Sequence, residues 1–542
     1  MKVRTDILKL AKEMHTWVGI SAGILLFICF FAGGLTMFQH DLSQWATPPQ
    51  QKLSTIQTNQ YNQLVEQVQQ KYPETQKSFT VNFASKELHN APVQWSTSKA
   101  GEGRGFNASQ NTMLATLDED GQLEVKKENV SKLGWLIEQL HETAGIPGLL
   151  GHHTLGVYVM GIVAFLYFLA IFSGLVVLLP TLIKDYFAIR KGKNKKRFWL
   201  DTHNVIGITS LPFHIIICVS VIVFAFHDLM YDALGQLVSK GKPLFERPAP
   251  TQIADPQPKL DVEKILYRLQ QSAPEYEIMS VSFNQIDKPE KASARVALYS
   301  ADQMLRGDNF DFMLINPYQE QPYKVTTLNP HATVADKVIK SMFSLHFGSF
   351  GGDFTRWMYF VLGIGGAFLF YSGNILWIES RIKRQKNPNL PAPAQRKDVR
   401  FVTNFTIGAC LGTILAVCVS MLLGRWGYVI YPELASLNYL FIYTYYVVFI
   451  LSLLYTFGCG AARALPHLLL AIAISLFAIP FTSLIAYLVP DVGLWYSVGR
   501  LLIIDLVAIL FAFAFLRFYQ QARLRSQIAE VGSIWSIAKV EK

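Results

Sequence analysis

The sequence predicts a polytopic α-helical membrane protein of about eight transmembrane helices carrying two α+β extracytoplasmic domains. Three observations predict it. Of 542 residues, 51% are hydrophobic and only 16% charged, against about 25% charged in soluble domains. Eight stretches are long and apolar enough to cross a bilayer, which takes roughly 20 residues each. Two long polar segments interrupt these stretches, and each is large enough for a small domain.

The basic N-terminus MKVRTDILKLAK leads into a first span near 17–38, so 1–38 is one unit. Its apolar run exceeds the usual signal-peptide core of about 7–15 residues, and no small-residue cleavage site follows at QHDLSQW. It reads as an uncleaved signal anchor. Residues 39–150 form the first outside domain. Residues 151–227 hold a second span (154–180), the basic loop RKGKNKKRFW (190–199) and a third span (204–227) that Pro212 and His214 interrupt. Residues 228–355 form the second outside domain, and 356–380 a fourth span (357–379). The basic, proline-rich linker 381–400 is expected to be extended. Spans near 402–423, 438–457, 466–488 and 497–517 make a C-terminal four-helix bundle (401–520), with Asp505 inside the last, before a tail at 521–542.

Lysine and arginine in short segments set orientation. The N-terminus, both basic connectors and the tail (Arg517, Arg523, Arg525) fall on one side. Short connectors on the other side hold only Arg425. Both termini are therefore expected in the cytoplasm. The net charge of +10 expresses this topology and membrane lipid as neighbour; no nucleic-acid partner is expected. The five cysteines lie in or beside apolar stretches, with no C-x-x-C. That excludes a disulfide framework and a C-x-x-C-H haem attachment.

The first part of the chain reads as a duplication. QQKYPETQKSFTVNF (69–83) matches QQSAPEYEIMSVSF (270–283), each a helix-like stretch running through Pro-Glu into an alternating strand. MHTWVGI (14–20) matches THNVIGI (202–208), and LHETAGI (140–146) matches LHFGSFGG (345–352). The offsets are 188 at His15/His203, 201 at Pro73/Pro274 and 205 at His141/His346. A slowly drifting offset is that of a parallel repeat with small insertions.

These four histidines are the candidate site. A b-type haem needs two neutral imidazoles from different helices, an apolar slot and small residues that let the macrocycle approach. Gly19 and Gly207 follow His15 and His203 by one turn, on the same helix face. Gly145, Gly148 and Gly151, and Gly348, Gly351 and Gly352, follow the other two and would let the backbone turn inward. Two haem b groups are expected, one at each side of the bilayer, with His15, His203, His141 and His346 as axial iron ligands. A histidine at a helix end is more often an interfacial hydrogen-bonding group; the repeated pairing is what favours ligation. His152 and His153 compete with His141 because they lie closer to the second span. His214 lies eleven residues after His203, and ionisable groups at membrane depth are functional candidates. It is a third ligand, a proton relay, or a histidine satisfied by backbone near Pro212. His40 and His227 read as interfacial anchors, and His89, His331 and His467 as surface or interface residues. Asp505 is too far round its helix from Arg500 for an ideal pair. No P-loop or Rossmann fingerprint is present. Electrons are therefore expected from a reduced flavin, a flavoprotein or a quinol.

On these residues the chain resembles the PepSY-associated transmembrane family of iron-regulated inner-membrane proteins. The resembling motifs are MHTWVGI, LHETAGI, RFWLDTHNVIGITSLPF (197–213) and LHFGSFGGDFTRWMYFVLGIGGAFLFYSGNILW (345–377), over roughly 1–385. The resemblance implies that the outside domains are PepSY-like modules. It implies b-type haem on His15, His141, His203 and His346, and ferric-siderophore or other ferric-chelate reduction outside the membrane. The chain departs from the family's four-helix core by its four additional helices. Its connector from His141 to the following span is also the longer of the two. Two other functions compete: a non-redox sensor whose PepSY-like modules bind a partner, and a transporter.

Overall fold

The computed structural model describes residues 3–49, 53–84, 91–97, 108, 112–151, 153–185, 189–190, 195–237, 258–307, 309–320, 322–323, 328, 331–385, 393–432 and 434–538. The first repeat runs α1 (Thr5–Thr36), α2 (Gln39–Trp45), α3 (Tyr61–Lys71), β1 (Ser78–Asn82), β2 (Val93–Ser96), β3 (Thr112–Leu117), β4 (Leu123–Lys127) and α4 (Leu133–Thr143). A hairpin of β5 (Leu149–Leu150) and β6 (His153–Thr154) then leads into α5 (Leu155–Leu178) and a short α6 (Leu182–Asp185). The second repeat runs α7 (Lys195–Thr209), α8 (Leu211–Leu237), α9 (Val262–Ser272), β7 (Glu277–Asn284), β8 (Ser293–Tyr299), β9 (Asp311–Ile315), α10 (Val334–Phe347) and α11 (Gly352–Glu379). Four helices close the chain: α12 (Lys397–Ile430), α13 (Leu434–Cys459), α14 (Ala461–Leu488) and α15 (Leu502–Ile528).

Seven helices among the described residues are long and apolar enough to cross a membrane, or eight if one bent pair counts as a span. The bent pair lies at the expected third span, 204–227, which Pro212 and His214 interrupt. It is two helices, Lys196–Thr209 and Leu211–His227, meeting at 67°. Pro212 lacks the N–H that would continue the helical ladder across the junction, and its ring crowds the preceding turn.

The two outside segments are joined in one sheet, ordered β4-β3-β2-β1-β7-β8-β9. The joint is β1 against β7, antiparallel, with Val81 opposite Val281 and Phe79 opposite Phe283. All four side chains are buried. α3 and α9 cover the same face, where Leu64, Val68, Leu266 and Leu269 complete a shared core. Period-2 alternation in β8 sends Ala294, Val296 and Leu298 inward and Ser293 and Arg295 outward.

Below the sheet, α1 packs on α11 and α5, while α5 packs on α8 and α11 on α7. Glycine permits a close backbone approach between α1 and α11: a Cβ on Gly363 would lie 2.7 Å from the Cα of Gly34. The last four helices join this core through α11 and α4. Asn374 donates to the Thr406 hydroxyl at 3.2 Å. The Lys132 N–H donates to Asn438 Oδ1 at 2.8 Å, and the Tyr446 hydroxyl donates to the Gly145 carbonyl at 2.8 Å. The added bundle thus grips α4 beyond both of its ends. Asp505 finds its partner on another element, as Trp45 Nε1 donates to it at 3.4 Å. Arg500 instead pairs with Asp41 and Asp353. Arg425 is fully buried between the Trp45 and Trp495 rings.

Candidate cofactor site

Each of the four histidines sits on a different helix, and the fold brings them together in two pairs. His15 on α1 meets His203 on α7, ring centres 6.2 Å apart. His141 on α4 meets His346 on α10, ring centres 6.3 Å apart. An imidazole nitrogen lies about 2.0 Å from a bound metal and ~1.1 Å from its own ring centre, so two imidazoles on one iron have centres ~6.2 Å apart. Both pairs have the spacing that a bis-imidazole iron requires. His141 packs against Cys29, fourteen residues beyond His15 on α1, which puts the two levels about 21 Å apart along that helix.

Hydrogen bonding fixes the tautomers. His15 Nδ1 is 2.8 Å from the Ala170 carbonyl, and His141 Nδ1 is 2.9 Å from the Cys29 carbonyl. A carbonyl only accepts, so both Nδ1 atoms carry the proton. His203 Nδ1 faces the Ser372 hydroxyl at 3.0 Å, and His346 Nδ1 faces the Ser220 hydroxyl at 2.8 Å. Both serines already donate to their own helix, Ser372 to the Leu369 carbonyl and Ser220 to the Ile216 carbonyl, at 2.8 Å each. Their oxygens therefore accept from the imidazoles. All four rings are Nδ1–H tautomers with the Nε2 lone pair left for a metal. This is the second-shell arrangement that orients metal-binding histidines. Burial, and then the neighbouring His141, hold the His346 imidazole down to about 3; burial likewise lowers His141. Both shifts favour the neutral imidazole that ligation demands.

Small residues clear the space, though not those that spacing suggested. A Cβ on Gly19 would meet nothing within 4 Å, and one on Gly207 would meet Leu369. The glycines against the rings come from neighbouring helices. A Cβ on Gly33 would lie 2.6 Å from His141 Nδ1, one on Gly174 2.8 Å from His15 Cε1, and one on Gly373 3.4 Å from His203 Cε1. No fixed offset within one helix could have found them; their only sequence signal is glycine inside an apolar helix. The turn glycines do act as expected. Gly145, Gly148 and Gly151 have φ of +76°, +105° and +62°, so the chain can reverse between α4 and α5. Gly348, Gly351 and Gly352 do the same between α10 and α11.

His152 lies outside the described residues, as does His89, and so does the side chain of His153, whose backbone begins β6. His214 joins neither pair. It is 2% exposed, with Phe30, Tyr167 and Phe213 around it at 5.5, 5.9 and 5.5 Å between ring centres. His40 approaches Asn309, and His227 bonds its own helix at the Phe224 carbonyl. His467 bonds the Tyr455 hydroxyl. Among the described residues, no three His, Cys, Asp or Glu side chains cluster to hold a bare metal ion. A haem iron needs only two protein ligands, because the porphyrin supplies the rest.

A family model described as the PepSY-associated TM region matches residues 13–380. That interval contains both imidazole pairs and the whole sheet. No curated protein matches the chain.

Proposed function

Since the chain belongs to the PepSY-associated transmembrane family, and is a multi-pass membrane protein, we propose that it is a haem-b reductase of the inner membrane with both termini in the cytoplasm. It passes electrons from a cytoplasmic reduced flavin, flavoprotein or quinol to a ferric siderophore or other ferric chelate outside, which releases iron(II). One observation carries this reading: two imidazole pairs at metal-bridging distance, in the ligating tautomer, at two levels of one helical core.

Haem b on each pair would supply reversible one-electron chemistry at the iron. The chain's residues do the rest. His15 and His203 would hold the group remote from the sheet, and His141 and His346 the group beneath it. The four Nδ1–H bonds keep the rings oriented. The phenyl rings of Phe224 and Phe347 flank His346 in edge-type contacts. On the sheet side a cavity of about 230 Å³ opens between β2, α2 and α4, lined by Gln39, His40, Ser43, Gln94, Lys132 and Glu138. Glu138 lies one turn before His141 on α4. An arm of a ferric chelate entering there would come close to the exit imidazoles.

The test is optical. Reduced-minus-oxidised spectra with pyridine haemochrome quantitation should give close to two haems b per chain. Protein that is colourless when purified from haem-replete cells would overturn the proposal. A value near one would mean that one pair is not a site.

A further inference from the structure

Among the described residues, His214 is a fully buried imidazole within the helical core that the proposed electron path does not use. It lies six residues before Ser220, which holds His346, and so about 9 Å along α8 from the sheet-side pair. On α11 it packs by Gly366, seven residues from the Gly373 that packs on His203, or about 10 Å. It is therefore midway between the two levels. Neither ring nitrogen has a partner among the described residues, and neither does the hydroxyl of Tyr167, itself 4% exposed. A buried polar group without a hydrogen bond is costly, and a phenyl ring would fill the same space without that cost. Nor is there room for a third macrocycle: a Cβ on Gly366 would already lie 2.4 Å from Phe30 and 3.2 Å from His214.

We propose that His214 is a proton-binding site linked to the redox state of both imidazole pairs, with Tyr167 as the group that stabilises the bound proton. This rests on the haem reading above. With an electron held at either imidazole pair, His214 would take a proton from the aqueous phase and become an imidazolium. When the electron leaves for the ferric acceptor, the proton is released. Charge is then balanced inside a low-dielectric core. Packed on His214 are Phe30 on α1, Tyr167 on α5, Phe213 beside it on α8 and Gly366 on α11; Cys218 lies one turn along α8, and His203 about 10 Å away on α7. No carboxylate, lysine or arginine among the described residues acts on it. One electron at about 10 Å changes the proton affinity of such a site roughly tenfold at an effective dielectric of ~20.

The experiment is a redox titration of the purified, haem-loaded protein across pH, for the parent and for His214→Phe, His214→Gln and Tyr167→Phe. In the parent, each midpoint potential should fall by a total of ~59 mV from acid to alkaline limits, the one-electron equivalent of a tenfold affinity change. His214→Phe and His214→Gln should remove that component while haem content and spectra stay parental. Tyr167→Phe should move the same component to lower pH. Two haem-replete His214 variants with the parental pH dependence would overturn the inference, as would a parent whose potentials do not vary with pH. A parent without haem would instead overturn the reading beneath it.

Discussion

Ser220→Ala tests the outer imidazole without touching a ligand. The Ser220 hydroxyl accepts from His346 Nδ1 at 2.8 Å while donating to the Ile216 carbonyl. Alanine removes the acceptor and leaves a buried N–H unsatisfied, at a cost of about 1–3 kcal/mol. Divided by 1.36 kcal/mol per decade, that is ~5- to ~150-fold in haem affinity, in line with the 10–100-fold typical of second-shell losses. The weaker hydrogen bond also makes the imidazole less basic and should raise the potential of that haem alone. The assay is competition for haem with a soluble apoprotein acceptor, followed by redox titration. Selective loss of one haem, with the His15/His203 haem at its parental potential, is the expected result. Unchanged affinity and potential at both sites would refute the tautomer argument, because His346 would then not depend on Ser220 as acceptor.

Other perturbations have equally direct outcomes. Gly33→Val should expel the haem proposed for the sheet-side pair, since even a Cβ there would lie 2.6 Å from His141 Nδ1; haem stoichiometry should fall from the proposed two towards one. Lys340→Ala should loosen α10 from the sheet. Lys340 Nζ is in ion-pair contact with the fully buried Asp311 at 2.5 Å, and Arg306 holds the same carboxylate at 2.6 Å. Breaking a buried pair costs about 3–5 kcal/mol, and the surviving Arg306 puts this case at the lower end; hydrogen exchange of α10 amides would read it. Acidification should fray the start of α10. The Thr333 hydroxyl, then its backbone N–H, holds the Asp336 carboxyl below the ordinary aspartate range. A depressed carboxyl contributes stability above its unfolded value near 3.9, and that stability is lost as pH falls through the lower folded value. Faster exchange in the first turn of α10 at pH 3 than at pH 6, beyond the intrinsic rate change, and absent in Asp336→Asn, would show it.

Spacing alone made the paired histidines legible, because a duplicated motif around apolar stretches survives without any knowledge of packing. The seven wholly helical spans were legible for the same reason: composition over some twenty residues is a local property. The break in the third was signalled by Pro212, but its 67° angle depends on what α7 and α8 pack against. The joined sheet was not legible. Alternation shows which face of β1 and β7 is buried, and nothing in either strand says that its open edge pairs with the other. The serines behind His203 and His346 were invisible too. Ser372 and Ser220 are ordinary residues until the helices are set side by side.

The pairing of the sites across the repeat has a historical and chemical consequence. Each pair takes one histidine from each copy: His15 with His203, and His141 with His346. If the repeat is a duplication, a single copy would own half of each proposed site, so an unduplicated ancestor would bind the proposed cofactor only as a homodimer, with both imidazoles of a site identical by symmetry. Fusion into one chain removes that constraint. The first-copy histidines now rest on peptide carbonyls, and the second-copy histidines on serine hydroxyls. Each iron would be held between a more basic and a less basic imidazole, an inequality that no symmetric dimer could encode and that selection could tune one side at a time.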